Sequence, residues 1–311
     1  MTMRLSGQKG INVGSVTGDK IILEGGSGDI GYIDKNDVDK TLQAMQVTLN
    51  SNNSYISANA AGNIMLEQVG TGNFTLGSIA GTNVEITANG NIVSRTDDIG
   101  YINASDMINL VSTGGGIGTT TEGLRIKNSG AVVNTDVQDA INIEAVQDGT
   151  LILGTIEQIK GGVTVESEGT IMLGREDDGS TEDTDESVTG SIDAKDDVTL
   201  HAENDIIISG KLHVNATYDD AASNDGTLQL HSNTGDIVQT TYEEDKNIVA
   251  ANVGIAAVGG DVELDNPYNI IKNVDLQAVG GSLGLTVSNP DGFNVDMGGF
   301  TNKQGGDINL T

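Results

Sequence analysis

VTLHAENDIIIS (residues 198–209) and LQLHSNTGDIVQ (228–239) are two copies of one layout, and that layout decides the fold. Each opens with a segment in which apolar and polar residues alternate, on Val198 and Leu200 in one copy and on Leu228 and Leu230 in the other. Alternation with period 2 is the signature of a strand with one buried face. A corner of Asn, Asp and Gly follows, residues that tolerate tight bends. A second strand then starts at Ile206 or Ile237. NVEITANGNIVS (83–94) and INLVSTGGGIGT (108–119) have the same arrangement.

Outward from these copies, a shorter unit recurs: a Gly or Asp/Asn doublet, then alternating apolar residues. It reads GNIML (62–66), GNFTL (72–76), GNIVS (90–94), GTLIL (149–153), GGVTV (161–165), GTIML (169–173), DDVTL (196–200), GDVEL (260–264) and GDINL (306–310). Most starts are about 8–12 residues apart, the spacing of short strands joined by turns. Self-similarity of this kind marks a repeat architecture. Two strands and a corner make part of a coil, and a coil of roughly 20 residues has room for a third face or a loop. The sequence predicts an all-β fold, a right-handed parallel β-helix (β-solenoid) with edge loops. Residues 1–311 read as a single solenoid segment, a fragment or protomer of a longer repeat protein, since GDINL stops without a polar cap. About fifteen coils at about 4.8 Å each give a rod of about 70 Å. Insertions are expected at 34–60, 175–190 and 240–254, and only 38–47 has a helical look. GDIGYID (28–34) and DDIGYIN (97–103) echo one another.

Composition agrees. The 311 residues include 43 Gly, 2 Pro, 6 Tyr, 3 Phe and no Trp or Cys. A globular core of this length normally uses aromatics as filler; here the apolar residues are mostly Val, Ile, Leu and Ala, which suits a thin stacked core. Sandwiches and propellers carry aromatic signatures that are missing. The 45 acidic against 15 basic residues give a net charge of −30. That balance argues against nucleic acid, whose phosphates need clustered cations, and against anionic membrane surfaces. Without Cys there is neither a disulfide framework nor a thiolate metal site. No run of 18 apolar residues spans a bilayer. MTMRLSGQKG (1–10) lacks an apolar signal core, so the chain reads as a mature segment or an expression fragment.

With these units in view, the chain resembles the repeats of filamentous haemagglutinin-like adhesins, the large exoproteins of two-partner secretion, and most of all the leukotoxin-type filamentous adhesins. The residues that carry the likeness are the DIG corners at 29–31 and 98–100, YISANAAGNIMLEQVG (55–70), VEITANGNIVS (84–94) and INIEAVQDGTLILG (141–154). The resemblance covers most of residues 10–310, and its specificity lies in the repetition. It implies a β-helical stalk exported through an outer-membrane transporter and displayed at the bacterial cell surface or released outside the cell. It implies no catalytic residues. The family's amino-terminal secretion domain is not recognisable here.

Polysaccharide-active β-helices need carboxylates or a base in a groove, with cations or aromatics to hold sugar. The chain has three His, His201, His213 and His231, and four Arg, Arg4, Arg95, Arg125 and Arg175. His201 and His231 follow a Leu at equivalent repeat positions, as either a stacked pair facing a ligand or an outward polar position repeated by the architecture. GGSGDIGYI (25–33) approaches a calcium-binding nonapeptide but fails in register, because Asp29 directly follows Gly28. The acidic run EDDGSTEDTDES (176–187) has the oxygen density for weak calcium binding without the EF-hand spacing. GTGN (70–73) and TGGGIG (113–118) lack the Lys or helix of a phosphate cradle and read as corners. The Thr clusters at 119–121 and 240–241 are too isolated for an ice-binding ladder. Tyr32 and Tyr101 are candidates for a sugar or protein contact, against a plain role covering the core.

These readings point to a structural and adhesive stalk module of a secreted bacterial surface protein, with no catalytic residues, cofactor or metal site. Expected partners are host or community cell-surface receptors or glycans, the transporter during export, and neighbouring repeats or an end-to-end copy of the chain. Two alternatives stand beside it: a self-assembling extracellular fibre subunit and a polysaccharide-active β-helix enzyme.

Overall fold

The computed structural model describes residues 2–96, 100–175, 187–215, 226–241, 243–289, 292–297, 301–302 and 306–311. The chain divides into two compact units, Met1–Glu144 and Ala145–Thr311. Both are all-β parallel solenoids. Among the described residues the only helical element is a 3-10 turn, Glu244–Lys246. Among the described residues, antiparallel contacts are confined to isolated bridges: Lys9 with Gly26, Tyr32 with Gln43 and Arg175 with Val188.

In the second unit one coil is three short strands. Val163–Ser167, Thr170–Leu173 and Ser191–Ala194 make one turn. Val198–Ala202, Ile206–Ile208 and Lys211–Val214 make the next, stacked on it in register. Because side chains alternate, every second residue of a rung points inward and lands on its equivalent in the next rung. The result is aliphatic columns. One runs Leu151, Ile171, Ile206, Ile237, Val262, Leu283. A second runs Val163, Val198, Leu228, Val253, Val274. A third, on the third face, runs Ile156, Ile192, Leu212, Ile248. All are buried, and each such side chain contributes about 1.5–3 kcal/mol.

The first unit follows the same rule. Ile11, Ile30, Ile64, Val84, Ile108 and Val133 form one column. Phe74, Ile92, Ile117 and Ile141 form another. Met45, Leu66, Ile86 and Leu110 lead to Thr135, whose Oγ1 is buried with no hydrogen-bond partner.

The recurrent Gly-Asx corner has a physical cause. The Asp or Asn just before the inward Ile accepts a backbone N–H from the next rung, which the turn would otherwise leave unpaired. Asp29 Oδ1 takes Asn63 N at 2.6 Å and Asn91 Oδ1 takes Gly116 N at 2.9 Å. Asp205 Oδ1 takes Asp236 N at 2.8 Å, Asp236 Oδ1 takes Asp261 N at 2.7 Å, and Asp261 Oδ1 takes Ser282 N at 2.6 Å. The same oxygen explains the glycine. A Cβ on Gly62, Gly235, Gly260 or Gly281 would overlap the carboxylate of Asp29, Asp205, Asp236 or Asp261 on the preceding rung. Gly makes room for the rung before, and Asx latches the rung after.

Several expectations need correction. The segment 34–60 is not one insertion: it contains the strands Met45–Leu49 and Tyr55–Ala60, which pair with Ser15–Gly18 and Lys20–Gly26. Residues 38–47 are not helical, because Met45 and Val47 are inward strand residues while Val38 is exposed. The segment 240–254 includes the start of the strand Ile248–Ala257. Coils also vary in length far more than the repeat suggests. Thr2 pairs with Lys20, 18 residues on, whereas Val163 pairs with Val198, 35 residues on. Strands bear this out, since Phe74–Ala88 runs 15 residues around a corner. Of the two IGYI segments, Ile30 of the first stacks on Ile64, and Ile102 of the second stacks on Ile79.

Candidate functional site

Outward side chains form columns as regular as the inward ones. On the second unit Asn252, Asn273 and Asn294 stack as an amide ladder, with Asn273 Nδ2 donating to Asn252 Oδ1 at 2.8 Å and Asn294 Nδ2 to Asn273 Oδ1 at 3.0 Å. Two outward columns along, past Thr199, Gln229 and Gly254, the residues Glu166, His201, His231 and Ala256 are in register on successive rungs. The imidazoles of His201 and His231 lie with centroids 4.6 Å apart and planes tilted by 57°. The structure thus brings the two repeat-equivalent histidines together, half-buried on an outward face. His231 Nε2 is 2.9 Å from Asn233 Oδ1, and Asn233 Nδ2 donates to Glu203 Oε2 at 2.7 Å.

His213 is elsewhere, on the third face, and belongs to a buried polar cluster that the sequence did not reveal. The side chains of Gln239, Asn247, Asn266 and Asn269 are all buried. His213 Nε2 meets Asn247 Oδ1 at 2.9 Å, and Asn247 Nδ2 donates to the Tyr268 carbonyl at 2.8 Å. Asn269 Nδ2 donates to Gln239 Oε1 at 2.9 Å, and Asn269 Oδ1 accepts from Ile248 N at 2.9 Å. Asn266 Nδ2 donates to the Thr241 and Glu243 carbonyls at 3.1 Å each. These amides replace the missing sheet partners of the turns at 240–247 and 265–269. Burial lowers the His213 pKa below its usual value; the Lys211 charge adds to this, and the Asn247 hydrogen bond opposes it. Nearby, burial raises Asp193, but hydrogen bonds from Lys195 and Lys211 outweigh it and hold the carboxyl below its usual range.

On the first unit, cations cover the aromatics. Arg95 Cζ lies 4.1 Å and Lys20 Nζ 5.5 Å from the Tyr55 ring centroid. Lys127 Nζ lies 4.5 Å from that of Tyr101. Tyr101 and Tyr32 are half-buried, and Tyr32 sits beside Gly14 and bridges to Gln43. Tyr55, which sequence reasoning did not single out, is buried beneath its two cations; its alignment with Lys20 on the adjacent rung needs the register to be seen. An open trough of about 310 Å³ is lined by small residues including Ala60, Ala80, Gly81, Asn103 and Ala104.

Asp29, in the segment compared with a calcium repeat, is engaged by Asn63 N. TGGGIG forms a corner, where Ser112 Oγ donates to the Gly90 carbonyl and accepts from Gly115 N. Residues 176–186 of the acidic run, and Asp98 of the second DIG corner, lie outside the described residues. Among the described residues no three His, Asp or Glu side chains converge as a ready-made metal cage.

No family model, no curated protein and no solved structure matches this chain.

Proposed function

We propose that the chain is a structural and adhesive module of a secreted bacterial surface exoprotein, displayed outside the cell. The observation that carries this reading is the registered stacking of rungs, with corner carboxylates latching each rung to the next. Stacked repeats gain stability from their neighbours, so such a scaffold can be extended rung by rung. It also multiplies any outward group at one-rung spacing, as in the Asn252–Asn273–Asn294 ladder. An array of weak contacts binds a surface more tightly than any single one. Tyr101, half-buried beside Lys127, is the aromatic-cation surface best suited to a glycan or receptor. The resemblance to filamentous haemagglutinin-like repeats supports export through an outer-membrane partner.

The test couples the chain to beads and measures attachment to bacterial and epithelial cells. Saturable attachment, above that of beads bearing a monomeric globular protein of similar charge, is expected. Attachment no better than the control would refute the reading. Micrometre filaments of the free chain in the electron microscope would instead favour a fibre subunit, and turnover of acidic polysaccharides an enzyme.

A further inference from the structure

The pair His201 and His231 admits a chemical as well as an architectural reading, and its surroundings favour the chemical one. An outward rung position needs only a polar side chain. This one has two imidazoles in direct register, 4.6 Å apart, and the second has its tautomer fixed from behind. The Glu203 carboxylate only accepts hydrogen bonds, so the Asn233 group facing it is the amide NH₂. The Asn233 carbonyl oxygen therefore faces His231, and His231 Nε2 carries the proton that bonds to it. His231 Nδ1 is left with its lone pair. A carboxylate acting through an amide on the far nitrogen of an imidazole is the outer-shell arrangement that orients metal-ligating histidines. His201 has the ring contact with His231 and, among the described residues, no hydrogen bond to its own ring nitrogens. Glu166 is one rung before His201 and supplies negative charge, while the small Ala256 follows His231.

We propose that His201 and His231 form a binding site for one divalent transition-metal ion, of the copper, nickel or zinc class. Metal–imidazole bonds are about 2.0–2.1 Å for zinc, so the two ligating nitrogens must come to roughly 3.3 Å of one another. Rings with centroids 4.6 Å apart on adjacent rungs reach that separation by rotation about their own side-chain bonds. Solvent completes the coordination, since among the described residues no third side chain closes the site. Two neutral nitrogens select borderline ions over Ca²⁺ or Mg²⁺, which prefer oxygen. The site is independent of the adhesive reading.

Calorimetry with Zn²⁺ and electron paramagnetic resonance with Cu²⁺, both on the full chain in excess Ca²⁺ to occupy exposed carboxylates, test the proposal. One ion per chain is expected, with two imidazole nitrogens coupled to Cu²⁺. His201→Gln and His231→Gln should each leave one coupled nitrogen. Asn233→Leu keeps both ligands but removes the outer shell, and should weaken binding by about 10–100-fold. Circular dichroism verifies that each variant is folded, and the nitrogen count on the unaltered chain needs no variant. Binding abolished by Ca²⁺, binding unchanged in both histidine variants, or fewer than two coupled nitrogens in the unaltered chain would overturn the assignment.

Discussion

Asn269→Leu probes the part of the second unit where burial and polarity conflict. Asn269 is fully buried. Its Oδ1 is the acceptor for Ile248 N at 2.9 Å, and its Nδ2 is the donor to Gln239 Oε1 at 2.9 Å. Leucine has the same branched skeleton of heavy atoms and removes both functions. Ile248 N–H and Gln239 Oε1 are then left unpaired inside the protein. Gln239 Nε2 loses its 3.2 Å bond to Asn269 Oδ1 but keeps the Lys246 carbonyl at 3.2 Å. A buried group stranded in this way costs about 1–3 kcal/mol. Two such groups give a loss of about 2–6 kcal/mol, against which the added apolar contact returns about 1 kcal/mol. Adding Gln239→Leu removes one of the two stranded groups. The double variant should therefore recover about 1–2 kcal/mol of the loss expected from summing the two single variants. Urea denaturation followed by circular dichroism on the four proteins of the cycle measures this. Asn269→Leu within about 0.5 kcal/mol of the unaltered chain, with no coupling to Gln239, would refute the buried amide network.

Three further outcomes follow from the same geometry. Gly260→Ala forces a Cβ onto the Gly235 carbonyl and the Asp236 carboxylate; it should destabilise by about 1–3 kcal/mol, and Gly260→Ala with Asp236→Ala should recover part of that in a denaturation cycle. Thr135→Val removes a buried, unpartnered hydroxyl at the end of an aliphatic column and should stabilise by about 1 kcal/mol, measured as a higher urea midpoint. A lower midpoint would mean that Thr135 has a partner. Because the folded pKa of His213 lies below its unfolded value of 6.5, the folded state binds fewer protons there; its contribution is complete above the unfolded value and is lost as pH falls through the folded one. The stability of the unaltered chain relative to His213→Gln should therefore fall as the pH drops through 6.5 and below, whereas a constant difference would place the imidazole in solvent.

The parts of the fold legible in the sequence were those where one residue type answers one physical demand. Ile206, Ile237 and Val262 follow Asp205, Asp236 and Asp261 because the carboxylate must sit at the corner and the aliphatic residue must turn inward. That pairing recurs and can be read without coordinates. The third face was harder to see. Its strands Ser191–Ala194 and Lys211–Val214 begin after a lone glycine, Gly190 or Gly210, with no carboxylate latch, so the Gly-Asx doublet does not introduce them. Loop length also hid the register. A solenoid tolerates excursions at its edges, and Lys20 meets Tyr55 only after 35 residues. Nothing in the sequence marks Gln239, Asn247, Asn266 and Asn269 as buried, because polarity ordinarily signals exposure. Their burial follows from turns folding inward over one another, which only the stacking determines. The histidine pair was visible as an echo, TLHAEN with QLHSN, but the role of Asn233 and Glu203 behind it required their positions.

The central claim, that rungs stack in parallel and in this register, is tested most directly by cross-linking. The chain has no cysteine, so introduced thiols report alone. Thr199 and Gln229 are outward and aligned on adjacent rungs, while Leu228 points inward. Neighbouring strands are about 4.8 Å apart, within the Cα separation that a disulfide spans. Thr199→Cys with Gln229→Cys should oxidise to an intramolecular disulfide in the folded protein, and Thr199→Cys with Leu228→Cys should not. The opposite pattern, or no disulfide in either, would contradict the stacked solenoid.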